Sequence, residues 1–179
     1  MRISELASHT EIPVATIKFY LRENLLHEGV RTAATQAQYD QSHVARLRLI
    51  RALLGPGGLS IAAAHQVIRA MEEPPGSVHE LLGVAAGTVA GPNLEEALRA
   101  LDEAGFELPE GALDLYQDHM RQIAEFEIDN VPTDSPAAAV RYVVLGTVLL
   151  EPVILALRRT AQEEASARRF GRSSKGVRD

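Results

Sequence analysis

Cysteine is absent from the 179 residues, which removes disulfides, thiolate zinc sites and thiol redox switching, and with them any hint of a secreted scaffold. The N-terminal segment is charged and amphipathic and has no apolar h-region, so no signal peptide is expected. The most apolar stretch, residues 142–157, is interrupted by Glu151 and Pro152. It falls short of the roughly 20 residues that a bilayer span needs and reads as a buried helix. Histidines at 9, 27, 43, 65, 79 and 119 form no i, i+4 pair and have no cysteine company, so no metal site is expected. A Gly-rich phosphate loop, a nucleophile elbow and a close carboxylate pair in a defined context are all missing. The pattern implies no cofactor and gives enzymatic activity little support.

What is present is an ordinary globular composition, 46% hydrophobic and 23% charged, long enough for one well-buried domain or two small ones. The net charge of −6 is unevenly spread. Residues 1–73 hold eight Lys/Arg against seven Asp/Glu and are nearly neutral, so the acidity belongs to the rest. The cations of the first segment could meet phosphates, and those of the tail at 168, 169, 172, 175 and 178 could bind DNA nonspecifically, although such an end is usually only solvated.

Ile3-Ser4-x-x-Ala7 suits a short helix with Ser4 as N-cap. A turn at residues 10–12 follows, and Pro13 fits the first position of a second helix running to about Glu23. Val14, Ile17, Leu21 and Leu25 recur at helical spacing and would face the first helix, leaving Thr16, Lys18, Tyr20 and Arg22 less committed to the core. Residues 29–39 lack that period and suit a hairpin or loop. Asp40 or Ser42 would cap a third helix carrying Val44, Leu47, Ile50 and Leu54, which Gly55-Pro56-Gly57-Gly58 breaks. Ser60 would start a fourth, with Ile61, Ala64, Val67, Ile68 and Met71 inward.

In helix-turn-helix proteins the second helix enters the major groove. Lys18 can reach a phosphate or a guanine edge, Tyr20 can give its hydroxyl to a phosphate, and Thr16 can hydrogen-bond or touch a thymine methyl. Taken singly, each of these residues is more simply read as core or solvated surface. Their order is more specific. Thr16-Ile17-Lys18-Phe19-Tyr20, Leu25-Leu26, a segment from Arg31-Thr32 to Gln38-Tyr39, an Arg-rich helix and a Gly58-Leu59-Ser60 turn resemble the winged helix-turn-helix of the MerR family of bacterial transcription regulators, over residues 1 to about 71.

The resemblance implies DNA contacts from Lys18 and Tyr20, and from Arg31 in the wing. With Thr16, Phe19, Arg22, Thr35 and Tyr39 these form the candidate interface. The chain departs from the family pattern at Phe19, where many members have tyrosine, and at Glu11, where the turn often has glycine. It departs again at Pro74-Pro75-Gly76, where many members continue into a long dimerising helix.

Past that break the pattern is all helical. Ser77-x-x-Glu80 and Asn93-x-x-Glu96 have capping-box spacing and open two short helices, the second ending at Gly105. A longer helix is expected from about residue 110 to 129, with Leu113, Tyr116, Met120 and Ile123 in one seam whose simplest use is packing within the domain, a dimer seam being the other. Ser135-Pro136 opens a last helix reaching about Ala167. Its valines and leucines cover nearly the whole circumference, which requires partners on all sides, one of them plausibly the same helix of a second subunit. Gly146 would allow close approach and Pro152 would kink the helix, while Glu151 is expected to pair with Arg141 or another cation, the other reading being that it is available to a ligand.

The resulting expectation is a mainly α protein: a winged helix-turn-helix over 1–73, an all-helical dimerisation and sensing domain over 77–167, and a flexible basic tail over 168–179. Resemblance implies a cytoplasmic homodimer that holds promoter DNA, acts on RNA polymerase indirectly by distorting the promoter, and has no membrane partner. It also implies an effector site in the C-terminal region, where Tyr116, His119, Phe126 and Tyr142, with Phe106, could line a pocket. Residues 74–167 carry five Arg against sixteen Asp/Glu, so the effector is expected to be uncharged or cationic and largely apolar. Two alternatives are an effector-independent architectural DNA-bending protein and a ligand-sequestering protein with weak DNA binding.

Overall fold

The computed structural model describes residues 1–33, 36–74, 76–89 and 91–171. Eight helices and one hairpin follow in the order α1 (Ile3–Thr10), α2 (Val14–Arg22), β1 (Val30–Ala33), β2 (Gln36–Gln38), α3 (Gln41–Leu54), α4 (Ile61–Glu72), α5 (Val78–Thr88), α6 (Leu94–Glu103), α7 (Ala112–Asp129) and α8 (Pro136–Phe170). The expected mainly α class and the helix order are both found.

The caps differ in detail from the sequence reading. Ser4 lies inside α1, whose N-cap is Arg2, and the Glu5 carboxylate accepts the Arg2 N–H at 2.7 Å. Pro13 is the N-cap of α2 rather than its first residue. Ser60, Ser77, Asn93 and Ser135 cap α4, α5, α6 and α8 through side-chain oxygens that accept a backbone N–H three residues on.

One apolar core runs from the first helices into the last. Leu6, Ile17, Leu25, Leu47, Ile50, Leu53 and Val67 belong to the same cluster as Leu81, Val143, Val144 and Val148. α8 packs on α3, α4 and α5, so the break after α4 interrupts the chain without interrupting the core. A close approach fixes the α3–α4 turn here: a Cβ on Gly57 would lie 2.8 Å from the Leu53 carbonyl oxygen and 3.0 Å from Val148 Cγ1.

The rest of the C-terminal half departs from expectation. No residue of α6 or α7 is buried, and Leu115, Tyr116, Met120 and Phe126 are exposed. Packing within the domain therefore does not account for the α7 seam in a single chain. α8 was expected to be buried along its apolar stretch, yet only Val143, Val144 and Val148 are, and Val153, Leu155 and Leu157 face outward. By length and composition α8 could also cross a membrane. Its inner valines are instead built into the core formed by the first four helices.

Glu151 is exposed and has no ion-pair partner among the described residues. Arg141, ten residues away on the same helix, is about 15 Å along the axis and cannot reach it. Arg168 and Arg169 lie within α8. Arg172, Lys175 and Arg178 of the expected tail fall outside the described residues, as do Thr35 and Pro75.

Candidate nucleic-acid interface

α1 and α2 meet through a turn in which Glu11 takes φ 56° and ψ 29°. Left-handed backbone costs an L-residue other than Gly, Asn or Asp about 1 kcal/mol. Glu11→Gly should therefore raise stability by about 0.5–1 kcal/mol, less whatever Gly adds to the entropy of the unfolded chain. A denaturant midpoint that falls in this variant would show that the turn is unstrained. The second such position is Asn24, at φ 55°, a residue type that tolerates the region. It ends α2, and the N–H groups of Leu25 and Leu26 both return to the Tyr20 carbonyl.

Ile17, Leu25 and Leu26 are fully buried and anchor α2. Opposite them, Lys18 and Arg22 are exposed one helical turn apart, with Thr16 half-exposed on the same helix. The Arg22 guanidinium lies 6.0 Å from the Phe19 ring, and Phe19 and Tyr20 have ring centroids 5.8 Å apart. Tyr20 is half-buried against the core, so its ring supports the helix while two cations and a hydroxyl are left to face a ligand.

The wing is an antiparallel pair with Val30 opposite Gln38 and Arg31 opposite Ala37. Arg31 is exposed at its base. Gly29 is required there, because a Cβ would sit 2.6 Å from the Gln38 carbonyl oxygen. Tyr39 was expected at the interface, but its ring is in the core and meets His43 edge-on at 5.0 Å. Its backbone exchanges hydrogen bonds with Met1 in both directions, at 2.7 and 2.8 Å. Burial, and then the Glu28 charge, push its phenol pKa upward. Tyr39 is thus an anchor for the wing.

Sequence reasoning missed a cluster at the junction of the α2 exit, the wing and α3. His27 stacks on His43 with centroids 3.9 Å apart, and Asp40, Ser42 and His43 share short hydrogen bonds. The signal was available as Asp40-x-x-His43, a capping box with His in place of the usual Glu: Asp40 Oδ1 accepts the Ser42 N–H at 2.9 Å, and His43 Nδ1 accepts the Asp40 N–H at 3.1 Å.

Ligand atoms of His27, Asp40 and His43 lie within 4.8 Å of one another, a donor set of the kind that binds metals. The His43 Nδ1 lone pair and Asp40 Oδ1 are already committed to the cap, however. Asp40 and His43 therefore serve as a helix cap. His43 Nε2 is buried without a partner.

Both acid–base shifts in this cluster run downward. Burial, then the charges of His43 and Arg46, lower the His27 pKa from 6.5, while hydrogen bonds from Ser42 and the His43 ring beside it hold Asp40 well below the usual 3.8. A depressed folded pKa contributes stability that is present above the unfolded value and lost as pH falls. Stability should accordingly decline as pH drops below 6.5, through His27, and again below 3.8, through Asp40. His27→Gln should flatten the first step in a pH series of thermal midpoints, and an unaltered slope would remove His27 from the explanation.

The residues expected to line an effector pocket do not converge. Tyr116, His119 and Phe126 are exposed along α7, and the His119 Nδ1 N–H is spent on the Leu115 carbonyl at 2.8 Å. Tyr142 borders a cavity of about 30 Å³ between α7 and α8, room for one water. One of several larger open clefts, of about 500 Å³, lies between α4 and α5 and is lined by Gln66, Arg69, Glu73, Gly83, Val84 and Gly87. Composition did not point to it.

A short helix, a tight turn, a second helix with free cations, and a hairpin pinned behind it define a DNA-binding transcription regulator. Residues 1–71 match the family described as MerR HTH family regulatory protein, and this part of the chain is a MerR-family helix-turn-helix domain. A solved structure similar to the whole chain is that of the putative transcriptional regulator SCO5550 from Streptomyces coelicolor A3(2). It is 29% identical with a TM-score of 0.60, and the match covers 96% of this chain and 98% of that one. Comparison with curated proteins gives no significant match.

Proposed function

We propose that the protein is a cytoplasmic homodimer that binds a pseudo-palindromic promoter site through α2 and the wing and regulates transcription by distorting the DNA between promoter elements. Polymerase is then affected through the DNA, and the energy of distortion becomes the regulated quantity. Lys18, Arg22 and Thr16 are the groups on α2 that would read or clamp the groove, with Arg31 reaching a phosphate from the wing. Phe19 and Tyr20 hold that surface in shape, and the Tyr20 hydroxyl is a further phosphate donor. The exposed cations on a helix anchored by Ile17, Leu25 and Leu26 carry this reading most directly.

Dimerisation rests on α8. A row of apolar residues at 150, 153 and 157 that faces water in one chain is too extensive for a solvated element and marks an interface. The two α2 helices would then enter successive major-groove faces, about 34 Å apart for adjacent half-sites.

Regulation by an effector has a candidate location in the α4–α5 cleft, where a ligand would sit between the DNA-binding helices and the C-terminal half. Its lining pairs one cation, Arg69, with one anion, Glu73, among uncharged residues, which suits an uncharged ligand. The cavity beside Tyr142, too small for any ligand, supports the competing reading of an architectural DNA bender without effector. Footprinting on the DNA upstream of the protein's own gene, with and without cell extract, separates them. Protection of two half-sites flanking hypersensitive positions is expected, changed in extent by extract for the effector reading and unchanged for the architectural one. Absence of any protected site would overturn both.

A further inference from the structure

Both ends of the wing are fastened to the start of α3, each through an imidazole. His27 lies between the end of α2 and β1, and Asp40 follows β2 directly after Tyr39. The Ser42 hydroxyl gives its one hydrogen to Asp40 Oδ1 at 2.5 Å, so toward His27 Nε2, 2.9 Å away, it can only accept. His27 therefore donates from Nε2 and leaves Nδ1 open to a proton. At the other end of the wing, His43 Nδ1 accepts the Asp40 N–H at 3.1 Å and must be unprotonated to do so.

The two rings lie against each other, with centroids 3.9 Å apart. His43 is 3% exposed and meets the Tyr39 ring edge-on, and its Nε2 has no hydrogen-bond partner. Around the stack stand Asp40 of the cap, Arg46 of α3 and Glu72 of α4, the last two paired with each other. Glu28 adjoins His27 in the chain and acts on Tyr39.

This arrangement suits neutral rings. A proton on His43 Nδ1 turns that atom from acceptor to donor. It can then bond Asp40 Oδ1, 2.9 Å away, but the Asp40 N–H at the exit of the wing loses its acceptor. A proton on His27 places a cation beside Arg46, and once both rings are charged they repel face to face. Each event loosens one attachment of the hairpin.

We propose that the His27–His43 stack is a pH-sensitive clasp, which holds the wing on α3 while both rings are neutral and releases it on acidification. Histidine is the side chain whose ordinary titration falls in this interval. Arg31 rides on the released hairpin, so operator affinity should fall in acid. That sign is diagnostic, because added positive charge by itself strengthens attraction to phosphates. The effect on affinity rests on the DNA-binding role proposed above for the wing, whereas release of the hairpin does not.

The test uses the full-length protein and His27→Gln between about pH 7.5 and about pH 5.5, the range that brackets histidine titration. The glutamine amide can keep the bond to Ser42 and cannot titrate. Circular dichroism should show the same helix content throughout. In amide NMR spectra of the free protein, Val30, Arg31 and Ala37 should shift with the midpoint of the His27 ring, and should stay still in His27→Gln. Operator affinity, measured by anisotropy at fixed salt, should fall several-fold in acid for the parent and hardly at all for His27→Gln. Wing amides that ignore pH, or that move equally in His27→Gln, would overturn the clasp whether or not the protein binds DNA. Loss of helix over the same range would overturn it too, since acid would then unfold the subunit and not free the hairpin. Moving amides with flat or rising operator affinity would overturn its regulatory role, and no operator binding at either pH would overturn the DNA-binding reading while the spectra still decide the clasp.

Discussion

Glutamate at Leu157 is expected to produce a folded monomer whose operator affinity is lower by about 10²-fold or more, because two linked half-site contacts are replaced by one. Leu157 is 64% exposed in the single chain, so a carboxylate there costs the subunit little. In a dimer it would leave an unpaired charge in an apolar interface. Circular dichroism should match the parent while sedimentation shows half the mass. A variant that remains dimeric and binds normally would place the interface elsewhere. The sequence pattern alone would have put this substitution at Val144 or Leu149, but Val144 is 0% exposed and Leu149 packs on the same core. Glutamate at Val144 would unfold the subunit and say nothing about dimerisation.

Lys18→Ala should weaken specific binding by about 1–3 kcal/mol, the range of a good groove contact, which is roughly 5- to 150-fold in Kd. Lys18 is exposed and makes no hydrogen bond or ion pair among the described residues, so the loss would not come through folding. If Lys18 reaches a base edge, discrimination at one operator position should relax. If it reaches only phosphate, affinity should fall evenly and the salt dependence should flatten by about one ion. Unchanged titrations with a folded variant would remove α2 from the groove. Tyr20→Phe separates hydroxyl from ring at the neighbouring position, since the half-buried ring would be retained.

The DNA-binding half was legible because local chemistry decides it. Ile17 and Leu25 sit one face apart from Lys18 and Arg22 by helical period alone, Ser60 caps a helix in the usual way, and the glycine turn at residues 55–58 ends one. The misreadings came from tertiary placement. Tyr39 has the composition of a contact residue, but pairing of its backbone with Met1 turns its ring inward. His27 and His43 are far apart in sequence and meet only when the α2 exit folds over the start of α3.

In the C-terminal half, periodicity gave the helices and their limits but not their neighbours. The α7 seam and the outer face of α8 were both recognisable as apolar, yet nothing in a linear pattern says whether the covering surface comes from the same chain or another. The Glu151 assignment failed for a related reason: charge complementarity was judged by sign, while helix rise puts Arg141 out of reach.

Regulation follows if the α4–α5 cleft and the α8 interface communicate with α2. The shared core offers a route, since Val67 and Ile68 of α4 lie in one apolar cluster with Leu47 of α3, Leu81 of α5 and Val144 of α8. Packed cores transmit displacement because they have little void to absorb it.

The claim on which all of this depends is that α2 reads DNA sequence. Anisotropy titrations of the full-length protein at about 150 mM salt, against its own promoter fragment and a scrambled duplex of equal length, test it most directly. Preference for the promoter by about 10³-fold or more is predicted, as specific regulators generally achieve, with Lys18→Ala eroding the preference. Equal affinity for the two duplexes would contradict it.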